Sequence, residues 1–160
     1  MSAAAFAVAV LALLFSGYAV VAGERRARRS ERQREALGPA PAELREALER
    51  LRAAFQEIVI HGGQDRAFFL DEERKLIGQS LSDNAARVGN AQLRSALALV
   101  AGTWTEAFAI SPQHDYVINL NDVSDPERNR RLAAVDDLAH RGLDECADAL
   151  GQINSLEAGT

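Results

Sequence analysis

Nitrogen and sulfur ligands are few in this 160-residue chain, which has three histidines and one cysteine beside 23 carboxylates. The histidines are His61, His114 and His140. Asp137 and His140 lie at i, i+3, a spacing that sets two ligands on one helical face. Asp136 and His140, and Glu57 and His61, lie at i, i+4. A carboxylate-bridged metal pair in a helical bundle needs two Glu-x-x-His pairs and further carboxylates on two other helices. The chain supplies one Asp variant of that pair and no second copy. His140, Asp137 and His61 are therefore the candidate metal ligands. Surface salt bridging of Asp136 or Asp137 with His140 and Arg141 explains the same spacing without a metal, and it is the preferred reading.

Nucleophilic chemistry needs an exposed, activated side chain, and Cys146 falls instead within a run of small residues where a buried thiol is inert. There is no Gly-x-Ser-x-Gly elbow. Gly62-Gly63 lacks a following Gly-Lys-Ser/Thr and reads as a helix stop. The adjacent carboxylates Asp71-Glu72-Glu73 and Asp136-Asp137 read as solvated faces, the first also as helix-start charge. No residue is assigned a catalytic role, and no cofactor is expected. A single cysteine excludes an internal disulfide and any multi-cysteine zinc site.

The charges divide the chain. Ala3 to Ala22 is 20 residues without a charge, enough to span roughly 30 Å as a helix. Residues 24–35 hold six arginines against three glutamates, and the rest of the chain carries −8 within a total of −5. An acidic body argues against nucleic acid, whose phosphates require clustered Lys and Arg. The missing basic n-region, the long apolar run and the cluster Arg25, Arg26, Arg28 and Arg29 favour a retained anchor over a cleaved signal peptide. The expectation is a single-pass cell-membrane protein in contact with the lipid bilayer, its N-terminus outside and its C-terminal domain cytoplasmic. Ala5, Ala9, Ala12, Ser16 and Ala19 form a stripe of small residues. A chain with 30 alanines aligns some by composition alone, which is the preferred reading, and self-association of the span through this face is the alternative. Arginine far outnumbers lysine, 17 to 1, which points to a GC-rich bacterial gene.

The elements that must position these residues are helical. Gly38-Pro39-Ala40-Pro41 separates a basic juxtamembrane linker, 24–40, from a body at 41–156, with 1–23 as anchor and 157–160 as a frayed tail. A first helix runs from Pro41 to Gly62-Gly63, with Leu44, Leu48, Leu51, Phe55 and Ile58 as its seam. A second occupies about Asp65 to Val88, with Phe69, Leu70, Leu76, Ile77, Leu81, Ala85 and Val88 inward and Gly78 as its weak point. Gly89-Asn90 stops it and caps the third helix, which carries Leu93, Leu97, Val100, Trp104 and Phe108 and ends before Pro112.

The fourth helix opens at Ser124-Asp125-Pro126-Glu127, a capping-box spacing, and runs to about Leu156. Its seam Leu132, Val135, Ala139, Gly142, Cys146, Ala149, Ile153, Leu156 is small in the middle, so a neighbour should approach closely there. The segment 111–123 is too apolar for a free loop and is expected to fold over one end. The expected fold is all-α, a single transmembrane helix followed by an antiparallel four-helix bundle.

Two binding features remain. Trp104 lies in phase with the core, so core filling is preferred over an interface anchor. Asp137, Asp144, Glu145 and Asp148 form an acidic strip suited to a basic partner. The leading expectation is a membrane-anchored, non-enzymatic interaction or scaffolding module with an unknown protein partner. The alternative is a metal- or small-ligand-binding bundle, with or without enzymatic activity, built on the His140/Asp137 region.

Overall fold

Helix ends in this chain are set by glycines that reach positive φ and by short carboxylates and amides that catch free N–H groups. The computed structural model describes residues 23–38, 41–64, 66–69, 71–112 and 124–158, with Arg66 and Ala67 as backbone alone. They are all-helical, with no strand among the described residues. The elements are α1 (23–37), α2 (Pro41–His61), α3 (Arg66–Phe69), α4 (Glu72–Ala85), α5 (Ala91–Ile110) and α6 (Pro126–Ala158).

Gly38, at φ 82°, closes α1 by returning its N–H to the Arg34 carbonyl at 3.0 Å. Gly62 and Gly63 close α2, the Gly63 N–H reaching the Ile58 carbonyl at 3.2 Å in a Schellman arrangement. Asn90 caps α5 by accepting from the Leu93 N–H at 2.9 Å. At α6 the cap differs from the sequence expectation. The Asp125 carboxylate, not the Ser124 hydroxyl, accepts from the Glu127 and Arg128 N–H groups, at 2.9 and 3.2 Å.

The expected second helix is divided. Asp71 accepts from the Glu73 and Arg74 N–H groups and starts α4 afresh, leaving Arg66–Phe69 as a separate turn. The break therefore falls before Asp71 and not at Gly78. Gly78 is instead a close approach: a Cβ there would lie 2.6 Å from Trp104 Cδ1. The restart also sets the helical phase, with Gly78, Leu81 and Ala85 buried and Leu76 turned out to 54 % exposure. Leu70 lies outside the described residues.

Gly89 also has a different role from the helix stop expected of it. A Cβ there would sit 2.0 Å from the Glu35 carbonyl oxygen, so the glycine admits the end of α1 against the α4–α5 turn. The Asn90 N–H donates to the Ala36 carbonyl across this contact at 3.1 Å, and Leu37 is buried beside it. The supposed linker is thus helical over 23–37 and seated on the body by its last turn.

α2 packs on α6, α6 on α5, α5 on α4, and α4 on α2. Arg45 near the start of α2 meets Glu157 at the end of α6, so those two helices run antiparallel. The core is apolar: Leu48, Leu51, Phe55, Leu93, Leu97, Val100, Trp104, Val135, Cys146 and Ile153 are fully buried. α6 continues to Ala158, past the expected end at Leu156, because α1 satisfies its last carbonyls. Gln33 Nε2 donates to the Glu157 oxygen at 2.6 Å, and the Arg29 guanidinium donates to that of Ala158.

Among the described residues, no helix is long and apolar enough to cross a membrane. The longer helices α2, α4, α5 and α6 carry charge on the side their packing leaves outside; even α5, the most apolar, has Arg94 and Glu106 exposed. The expectation of a single-pass transmembrane protein, N-terminus outside and C-terminal domain cytoplasmic, is corrected accordingly: the structure does not support it. The run 3–22 on which it rested, with Ala5, Ala9, Ala12, Ser16 and Ala19, lies outside the described residues, as do residues 113–123.

Candidate functional site

The candidate metal ligands are not brought together. His140 is exposed on α6, its Nδ1 3.0 Å from the Asp136 carbonyl oxygen and 3.6 Å from Asp136 Oδ2. Both contacts stay within one helical turn. Asp137 is exposed beside it, and His61 is exposed at the end of α2. Among the described residues, no three His, Cys, Asp or Glu side chains gather in a metal-binding group. His114 lies outside them.

Cys146 is buried and unpaired with any other cysteine. Burial pushes its thiol up to about 12, the neighbouring Glu145 carboxylate adds to the rise, and Arg52 opposes it. A thiol held protonated in this way is a poor nucleophile. Trp104 is likewise part of the core. It is fully buried, its Nε1–H donates to the Arg74 carbonyl at 3.0 Å, and its ring meets Phe55 edge-on with centroids 5.1 Å apart. Phe108 packs against the same ring, 4.8 Å between centroids.

Arg74 on α4 reaches both α2 and α3, and its role did not emerge from spacing. Its Nη1 donates to Glu57 on α2 at 2.6 Å, its Nε lies 3.4 Å from Asp71, and its guanidinium sits 4.3 Å above the Phe68 ring. The Asp71–Arg74 separation of three was the available signal; the contact with Glu57 needed the fold. At the start of α6, hydrogen bonds from Arg130 and then Arg131 hold the half-exposed Glu127 carboxyl below its usual range. Both residues are structural neighbours of a helix end.

What remains is surface relief. Between α2 and α4 an open groove is lined by Glu43, Ala47, Glu73, Leu76 and Ile77. Glu46 on its edge pairs with Arg50 at 2.5 Å, whereas Glu43 and Glu73 make no ion pair among the described residues. A second groove, between α5 and α6, is lined by Leu99, 60 % exposed, with Glu145 and Asp148. Glu145 is braced there by the Thr103 hydroxyl at 2.7 Å. Arg25, Arg26, Arg28 and Arg29 are exposed on α1.

The chain matches no family model, no curated protein and no solved structure.

Proposed function

We propose that the chain is an antiparallel four-helix bundle, formed by α2, α4, α5 and α6, that works as a non-enzymatic protein-interaction module. The partner element that fits it best is a helix with an apolar stripe flanked by Lys or Arg, lying in the groove between α2 and α4. One observation carries this reading: Leu76 stands 54 % exposed in that groove beside Ile77. Exposed leucine at the meeting of two helices presents apolar area that a third helix can cover. The carboxylates of Glu43 and Glu73, which make no ion pair among the described residues, then select a basic rim on the partner. The metal- or ligand-binding alternative built on His140 and Asp137 has no such observation in its favour.

The test is site-specific photocrosslinking in the native cells. A photoreactive side chain is introduced in place of Leu76 and, as a control, in place of Arg141 on the exposed side of α6. A discrete adduct is expected at position 76 alone, and Glu43→Lys with Glu73→Lys should abolish it. Absence of a specific adduct, or one indifferent to the charge reversals, sinks the proposal.

A further inference from the structure

One face of the molecule carries opposite charge at its two ends. The groove between α1 and the end of α6 is lined by Arg25, Arg28, Arg29 and Arg32, with Leu156 at its base. The groove between α5 and α6 presents Leu99 and Ala96 with Glu145 and Asp148. A shallow depression that includes Gln92, Asp148, Gln152 and Leu156 connects the two. Arg25, Arg32 and Asp148 make no ion pair among the described residues, and residues 23–32 are exposed throughout. A helix that is polar on every side buries no apolar stripe of its own, so the first turns of α1 meet the body through polar contacts, as Arg29 does at the Ala158 carbonyl, and keep their arginines exposed.

A face that is basic at one end and acidic at the other is complementary to itself after a two-fold rotation. Each basic end then meets the other copy's acidic end, and both contacts form together. We propose that a second copy of this chain docks on this face as a closed two-fold dimer. Arg25 and Arg32 of each copy face Glu145 and Asp148 of the other, and Leu99 and Leu156 are covered between them. The dimer uses α1, α5 and α6 and leaves the α2–α4 groove open, so it stands independently of the function proposed above.

Charge reversal in the full-length chain tests it. Arg25→Glu with Arg32→Glu leaves four arginines against five glutamates over 24–35, turning that end from +3 to −1; Glu145→Lys with Asp148→Lys makes both ends basic. Circular dichroism and the emission of Trp104 check that each variant keeps the fold. In sedimentation equilibrium at low salt, each variant alone should dissociate with a Kd raised about tenfold or more over wild type. An equimolar mixture of the two should regain the dimer, because acidic ends then face basic ends. Any association through residues 3–22 is common to all these proteins and cannot produce that pattern. A monomeric wild-type chain, variants that dimerise like wild type, or a mixture that stays monomeric would overturn the dimer.

Discussion

Gly142 on α6 lies directly against the ring of Phe55 on α2: a Cβ built on the glycine would fall 2.3 Å from Phe55 Cζ. The absence of a side chain at one residue makes the room that the other fills. Glycine in the middle of a helix costs about 1 kcal/mol relative to alanine, and here the ring packing offsets that cost. The same ring meets Trp104 edge-on, so the contact ties α2, α5 and α6 at one point.

Gly142→Leu should therefore destabilise the protein by about 1–3 kcal/mol or more through overpacking, and Gly142→Ala by less. Combining either with Phe55→Leu should recover part of the loss, since residues in contact do not act additively. Urea denaturation of the two single variants and the double variant measures the coupling. Strict additivity would remove Phe55 as the cause.

Asp71 restarts the chain into α4, its Oδ1 2.9 Å from the Glu73 nitrogen. Asp71→Ala is expected to cost roughly 0.5–2 kcal/mol, and Asp71→Asn much less, because the amide oxygen can still cap. Thermal unfolding of the pair distinguishes the cap from the charge contact with Arg74. Equal losses for both variants would assign the effect to the charge.

Trp104 is the single tryptophan and is fully buried, so its fluorescence reports the core alone. Emission should be blue-shifted in the folded protein, weakly quenched by acrylamide, and red-shifted in one step with unfolding. Trp104→Phe loses the hydrogen bond to the Arg74 carbonyl and leaves space beside Gly78. A loss of about 1–3 kcal/mol is expected in denaturant unfolding monitored by circular dichroism. Strong quenching of the folded wild type would contradict its place in the core.

Cys146 makes a pH-dependent contribution whose sign is fixed by burial. Its thiol is pushed from an ordinary value of 9.0 up to about 12 in the folded chain. Between those values the unfolded chain loses the proton and the folded chain keeps it. Stability from this group is thus complete below about pH 9 and is lost as pH rises through about 12. Wild type should lose stability more steeply than Cys146→Ala over that range. At pH 8 a thiol reagent should modify Cys146 in denaturant and spare it in the folded protein. Parallel stability curves for the two proteins would rule the linkage out.

The helical class, most helix ends and much of the core were legible from residue order alone, because these depend on spacing within a few residues. The 4, 3, 4, 3 seam of α2 is buried from Leu44 to Ile58, and Leu93, Leu97, Val100, Trp104 and Phe108 are buried on α5. Gly62-Gly63 and Asn90 act where local backbone chemistry puts them. The small centre of the α6 seam also announced a close neighbour, though not that it would be Phe55.

Tertiary structure decided what depends on contacts between distant parts of the chain. Nothing near residues 24–40 in sequence says that α1 ends on Gly89, fifty residues away, or that Arg29 and Gln33 will complete the end of α6. Leu76 looked inward by its apolar character. The restart at Asp71 set a different phase, and only the packing of Gly78 against Trp104 established it. His140 and His61 have ligand-like spacing to nearby carboxylates, but spacing within one helix does not bring in ligands from another. The candidate surfaces had no signature in the sequence for the same reason: a groove is made by two helices, and its charge by residues far apart along the chain.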